Sequence, residues 1–267
     1  VDLGLVNKVV VVVGSTSGIG LATAREFVRE GAKVTICGRD EAQLRAVLEQ
    51  MPASANPVLP VVCDAVDPAD GARLIDTVVA RHGGIDILVN NVGGAVGGRL
   101  LANSTDEEWR ITFERNVVQT ARLMRLAIPH MSGRPGAAMV NVASISGWVP
   151  QLASSGQYGG SKAALIFDTE RWALELNEHG IRVNAVAPGA IFVEGRGWGS
   201  YSKQHPEDYA AYLAAAFPMG RLGRPEEVAD VIVFLASCRS HWVNGRCVPV
   251  DGLEQPVRAE RHWTGHH

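Results

Sequence analysis

Tyr158 and Lys162 stand four residues apart in the run Tyr158-Gly159-Gly160-Ser161-Lys162. On a helix that spacing sets a phenol and an ammonium one turn apart on the same face, within reach of one ligand. Free phenols ionise near ~10 and lysines near ~10.4, so neither is a useful base alone at neutral pH. A fixed cation beside a phenol favours its charged form and lowers its pKa, which turns the phenol into a proton donor and acceptor. Such pairs also arise by chance, so the spacing gains meaning only from what positions it.

Three further groups of residues carry chemistry of their own. Residues 137–142 read as a strand, and Ala143-Ser144-Ile145-Ser146-Gly147 follows it. A hydroxyl from Ser144 or Ser146 at that strand end can converge with the Tyr158 phenol on one carbonyl oxygen. Near the N-terminus, five valines run into Gly14-Ser15-Thr16-Ser17-Gly18-Ile19-Gly20, and a helical pattern (Leu21, Ala22, Ala24, Phe27, Val28) ends at Gly31. Strand, glycine-rich turn and helix N-terminus make an anion site: glycines let the backbone approach a phosphate, and free N–H groups favour its charge. The turn is therefore expected to hold a pyrophosphate through Gly14, Ser17, Gly18, Ile19 and Gly20. The second strand, residues 33–37, ends in Gly38-Arg39-Asp40. In a dinucleotide fold an acid there accepts from a ribose 2′-hydroxyl, whereas Arg suits a 2′-phosphate. Arg39 favours NADP(H), and Asp40 keeps NAD(H) open.

The remaining strand ends fit the same plan. Residues 58–63 form a third strand closing on Asp64-Ala65, placed to meet an adenine amino group or to cap a turn. Residues 85–89 form a fourth, delivering Asn90-Asn91-Val92-Gly93-Gly94 to the crevice where a ligand meets the sheet. Residues 105–129 read as one long helix with acids at 106–108 in its first turn, and Asn116 lies mid-helix, a poor place for Asn unless its amide is used. Residues 181–186 and 246–250 complete seven strands. Residues 192–217 read as an irregular, aromatic-rich segment of the kind that forms a lid. Pro225-Glu226-Glu227 opens a helix to Ala236.

These elements alternate strand and helix without repeat or linker. The 267 residues, 46% hydrophobic and 20% charged with 29 glycines, are expected to form one α/β domain: a doubly wound, seven-stranded parallel sheet (a Rossmann fold) with six intervening helical segments. The net charge of −3 offers no electrostatic case for nucleic acid or an acidic membrane. No apolar run approaches the ~18 residues of a membrane span, and no signal peptide is expected from a start without a basic region followed by an apolar stretch and a cleavage site. The four cysteines, Cys37, Cys63, Cys238 and Cys247, have no metal spacing. No metal is expected, Cys37 and Cys63 read as buried thiols, and a reducing cytoplasm fits.

Taken together, Gly14-x-x-x-Gly18-x-Gly20, Asn90-Asn91-Val92-Gly93, Asn116, Ser144-x-x-Gly147, Tyr158-x-x-x-Lys162 and Pro188-Gly189 resemble the short-chain dehydrogenase/reductase family over roughly residues 5–253. The resemblance selects Ser144 over Ser146. It implies that Asn116, Ser144, Tyr158 and Lys162 form a catalytic tetrad, with Asn91, Gly93, Pro188, Gly189 and Ile191 joining the cofactor contacts. It further implies a ketone or secondary-alcohol substrate and self-association as a dimer or tetramer through the helices at 105–129 and 158–178. Within that family a 3-oxoacyl reductase-like enzyme and a sugar dehydrogenase both remain open. Lys162 and the three glycines argue against a lyase on this scaffold, and the complete tetrad argues against a silent nucleotide sensor. Three positions depart from the pattern: Val13 and Val193 stand where threonine is usual, and Val92 where alanine is. Val96, Trp148, Gln151 and the 192–217 lid are expected to wall the substrate pocket, with Arg196 and His205 available to an anionic or polyhydroxylated substrate.

Overall fold

A computed structural model describes residues 1–98, 100–150 and 155–255. Its strands, numbered in chain order, are β1 (Val9–Val13), β2 (Lys33–Gly38), β3 (Leu59–Val62), β4 (Ile87–Asn90), β5 (Ala138–Val142), β6 (Arg182–Pro188) and β7 (Cys247–Val250). They form one sheet in the order β3-β2-β1-β4-β5-β6-β7, and every pairing is parallel. All five valines of β1 are buried, because a central parallel strand is covered on both faces. Their side chains alternate between two cores. Val9, Val11 and Val13 join Leu74, Leu123, Met124 and Met131, while Val10 and Val12 join Phe27, Val28, Val228 and Ile232.

The helices supplying those partners are α1 (Gly18–Arg29), α2 (Glu41–Leu48), α3 (Pro68–His82), α4 (Asp106–Phe113), α5 (Gln119–Met131), α6 (Gly156–Leu176), α7 (Trp198–Gln204), α8 (Pro206–Ala216) and α9 (Pro225–Ala236). Sheet order reverses at β1, so the turns after β1 and β4 emerge side by side, with Val13 paired to Asn90. Such a switch point leaves a crevice at the carboxyl ends of the strands.

Three expectations change in detail. The helix read over 105–129 is divided: α4 leads into a π-helical stretch, Glu114–Val118, and then α5. Thr105 and Glu108 close its start with a reciprocal capping box, and the π-turn falls around Asn116. Residues 192–217 are not irregular, for α7 and α8 lie within them. Pro206 starts α8, and Trp198 stacks on Tyr212 at 4.6 Å, so the aromatics pack into a small core of the lid's own. With these, more than six helical segments flank the sheet. The fourth strand begins at Ile87 instead of residue 85, since the Asp86 carboxylate takes the Val9 N–H at 2.7 Å.

No helix among the described residues is long and apolar enough to cross a membrane, and no three of their His, Cys, Asp or Glu side chains gather where a metal could be held. Cys37 and Cys63 are buried free thiols.

Candidate active site

Tyr158 and Lys162 lie in the first turns of α6, which sits against the turn after β5. Two glycines permit that approach. A Cβ at Gly147 would come within 2.8 Å of the Lys162 backbone, and one at Gly159 within 2.8 Å of Ser146 O. A buried polar chain fixes the helix on the sheet: Asn90 Nδ2 donates to Asn141 Oδ1 (2.9 Å), and Asn141 Nδ2 to Thr169 Oγ1 (3.0 Å). Sequence reasoning missed Asn141 and Thr169, because a polar pair inside a strand and a helix has no periodic signature.

Ser144 stands next to the Tyr158 phenol, where its hydroxyl favours the ionised form, and it accepts from Ser146 N at 3.2 Å. Of the two serines left open by spacing, Ser144 is the one that meets Tyr158. Lys162 is buried, donates to Val142 O at 2.7 Å, and holds its Nζ 5.6 Å from the Tyr158 ring centre. Loss of solvent pulls its pKa down to about 7. The phenol goes the other way from the expected depression. Burial raises its pKa, and Ser144 pulls it only partly back. The lysine is desolvated too, so Tyr158 stays a protonated acid at neutral pH.

Asn116 uses three of its amide's four hydrogen-bonding positions, at the π-turn. Oδ1 accepts from Gly94 N (3.0 Å), and Nδ2 donates to Gly94 O (2.9 Å) and Thr112 O (2.8 Å). That clamps the strand-4 loop onto the helix and turns Oδ1 toward Lys162. A Cβ at Gly93 would lie 2.7 Å from Asn116 Oδ1 and 2.9 Å from Lys162 Nζ. π-Turns of this kind recur at functional sites.

Gly93 also borders a cleft of about 1480 Å3 along the carboxyl edge of the sheet. Gly14, Ser17, Ile19, Arg39, Asp64, Ala65, Asn91 and Ile191, read from the sequence as cofactor contacts, line it. Ser144, Tyr158 and Lys162 lie beyond Gly93 instead of in its wall. Gly14 (φ +69°) and Gly18 (φ +54°) occupy left-handed backbone, and a Cβ at Gly20 would strike Gly14 O and the Asn91 amide. The turn is therefore a cradle only glycine can form. Asn91 braces it by donating to Gly14 O at 2.9 Å. Pro188 ends β6, and Gly189 packs against Asp251 and Glu254, whose carboxylate accepts from Ala190 N (2.7 Å) and Tyr212 Oη (2.9 Å).

At the end of β2, a Cβ on Gly38 would strike the Thr16 methyl, so no acidic side chain can stand there. Asp40 is committed to capping α2 through Gln43 N (3.1 Å). Arg39 is exposed at the cleft edge, 4.0 Å from Asp64. Asp64 accepts from Val66 N (3.1 Å), the turn-capping role, while also bordering the cleft. Of the expected pocket walls, Trp148 is half exposed, Val96 is tied through its carbonyl to Gln157 Nε2 (2.7 Å), and Gln151 lies outside the described residues. His205 packs against Tyr201 with ring centres 4.8 Å apart and planes tilted by 31°. Arg196 turns to the glycine cradle and donates to Ser17 Oγ at 2.9 Å. Nothing in the spacing of the lid residues signals that one of them reaches so far.

A switch-point crevice with a glycine cradle, beside a Ser–Tyr–Lys cluster whose lysine is buried, defines a dinucleotide-dependent oxidoreductase acting on CH–OH or carbonyl groups. Residues 13–252 match the family model described as enoyl-(acyl carrier protein) reductase. Dehydrogenase/reductase SDR family member 4 of Bos taurus is 36% identical over 248 residues, 92% of this chain and 86% of that protein. The 3-oxoacyl-(acyl-carrier-protein) reductase FabG of Thermotoga maritima is 34% identical over 93% of this chain and 98% of its own. L-sorbose reductase from Gluconobacter frateurii, solved with NADPH and L-sorbose, superposes with a TM-score of 0.85 at 33% identity, covering 96% of this chain and all of that one. The chain belongs to the short-chain dehydrogenase/reductase family.

Proposed function

We propose that the protein is an NADP(H)-dependent reductase of a ketone, running in reverse as a secondary-alcohol dehydrogenase, with Tyr158 as the acid/base. The observation that carries this is Ser144 set beside Tyr158 with buried Lys162 one helical turn away, the lysine's Nζ adjoining Gly93 at the end of the cleft.

The residues fit such a cofactor, since the cradle around Gly14, Gly18 and Gly20 admits nothing larger than glycine. The nicotinamide supplies or accepts the hydride. The protein's own groups do the rest. Ser144 donates to the substrate oxygen and steadies the alkoxide character it acquires. Tyr158, held protonated by burial, gives its proton to that oxygen, which suits the reducing direction. Lys162 binds the ribose hydroxyls beside Tyr158 and favours the phenolate left behind. Asn116 Oδ1, facing Lys162 across Gly93, anchors the water through which the proton is replaced.

Three features support NADP(H) over NAD(H): Gly38 cannot be replaced by an acid, Asp40 is occupied by its cap, and Arg39 borders the cleft. The G. frateurii relative was solved with NADPH. Self-association through α6 is supported by Phe167 and Leu174, two turns apart and largely exposed. Light scattering reads the assembly directly.

The test is an initial-rate screen of 3-oxoacyl thioesters, ketoses and simple ketones with NADPH and NADH, run on wild type and Tyr158→Phe. Turnover is expected with NADPH, and Tyr158→Phe should lose at least ~10²-fold in kcat while binding NADPH normally. Near-normal turnover by that variant removes Tyr158 from the acid/base role.

A further inference from the structure

Arg196 stands at the foot of the lid, in a tight turn where its N–H bonds Val193 O at 3.2 Å. That turn lies on the glycine cradle. Val193 would sit 3.3 Å from a Cβ on Gly18, and Arg196 Nη1 donates to Ser17 Oγ at 2.9 Å. Ser17 is the residue that opens α1, yet its side chain caps nothing there. Its oxygen accepts from Arg196, which leaves its own O–H free to donate into the cleft.

The charges are one-sided. Among the described residues Arg196 makes no ion pair, and the nearby Glu194 is taken by Lys203 at 3.0 Å. A guanidinium thus rests beside the positive end of a helix with no anion between them, although both line the same cleft. Such a pair is unfavourable alone and complementary to a phosphate group. Arg196 thus brings a donor from the lid to the cradle.

We infer that Arg196 is a clasp for the cofactor's diphosphate: its guanidinium closes over the phosphates held by the glycine turn, together with Ser17 Oγ, and ties the 193–196 turn to them. This rests on the dinucleotide assignment made above. It makes cofactor binding the event that seats the base of the lid, so substrate meets an organised pocket only after the dinucleotide is in place.

Arg196 is exposed, so Arg196→Ala and Arg196→Lys are expected to fold, as checked by circular dichroism. Isothermal titration with NADPH, with NADH, and with adenosine 2′-monophosphate, which lacks the diphosphate, separates the outcomes. Arg196→Ala should weaken dinucleotide binding about tenfold or more, with a shallower salt dependence, and leave adenosine 2′-monophosphate within twofold. Arg196→Lys should recover part of the loss. The clasp alone is overturned if Arg196→Ala binds dinucleotide as wild type does, or if adenosine 2′-monophosphate weakens equally, which would place the charge on the 2′-phosphate. Wild type binding NADH in preference, with the same loss in Arg196→Ala, supports the clasp and removes the NADP assignment. Wild type binding neither dinucleotide overturns both.

Discussion

The buried Lys162 makes a test of the site that needs no substrate. Its pKa falls from 10.5 to about 7 because the ammonium is out of water, with only Val142 O as hydrogen-bond partner and no carboxylate to balance it. At ~1.4 kcal/mol per pH unit, the charged form costs the folded state on the order of 5 kcal/mol. The sign follows from proton counts. Between pH ~7 and ~10.5 the unfolded chain binds a proton there that the folded chain does not, so stability rises with pH across that window. Below pH 7 the full penalty applies, and above ~10.5 it is gone.

Replacing Lys162 by Met keeps the stem and removes the charge, but leaves Val142 O unpaired at about 1–3 kcal/mol. Lys162→Met is therefore expected to be more stable than wild type at pH 6 by about 2–4 kcal/mol, while losing turnover. At pH 9 most of that advantage disappears, because the wild-type penalty has dropped by about 3 kcal/mol. Urea unfolding at pH 6, 7.5 and 9, at one protein concentration, measures the difference directly. A gap between variant and wild type that does not change with pH refutes the burial of an uncompensated ammonium.

Other perturbations follow from the same geometry. Arg39→Ala should weaken NADPH about tenfold or more and leave NADH within twofold, measured by fluorescence titration, because the role proposed for the guanidinium is to hold the 2′-phosphate alone. Gly20→Ala should cost about 1–3 kcal/mol in denaturant unfolding and most of the dinucleotide affinity, because the added methyl pushes α1 off Gly14 O and Asn91. For the carbonyl-reduction direction, kcat/KM should decline as pH rises past about 7, where Lys162 loses its proton, and stay flat below; a pH–rate profile checks it. Asp86→Ala should destabilise by about 3 kcal/mol, leaving Arg134 and Val9 N–H without their acceptor. Burial opposes the charge on Asp86, but Arg134 and the Val9 N–H outweigh it and hold its pKa below the ordinary range. Its contribution is therefore present above ~pH 4 and fades as the folded-state pKa is crossed, so the gap to the variant should close in acid.

What the sequence revealed and what it hid divide along physical lines. Strand β1 was legible because five consecutive valines have one good solution, a strand buried on both faces. The cradle was legible because Gly14, Gly18 and Gly20 answer to backbone geometry, which is local. The lid helices α7 and α8 were not. Their pattern is set by an aromatic cluster around Trp198 and Tyr212 that replaces the usual single apolar face. The π-turn at Asn116 was hidden as well, since it adds one residue to a helix without altering composition. Above all, the electrostatics were not local. Spacing placed a cation beside a phenol and implied a depressed phenol pKa, but burial, which only packing decides, pushed the two groups the opposite way.

That reversal explains why the end of β5 matters more than any single side chain. Val142 O holds the Lys162 ammonium, Ser144 two residues on reaches Tyr158, and Asn141 one residue before pins α6 through Thr169. Three consecutive jobs fall to four residues whose positions are set by pairing with β4 and β6, Asn141 opposite Asn90 and Val142 opposite Val186. A slip of β5 by one residue would turn the Asn141 side chain to the other face of the sheet and carry Val142 O away from Lys162. The chemistry is thus specified by strand register, and the stability that keeps the register is stored at the opposite end. There Asp86 joins β1 to Arg134, and the Arg182 guanidinium accommodates the last carbonyls of α9 at Leu235 and Ala236. An active end carrying a desolvated ammonium and left-handed glycines works against folding, and those clamps at the amino ends of the strands offset it.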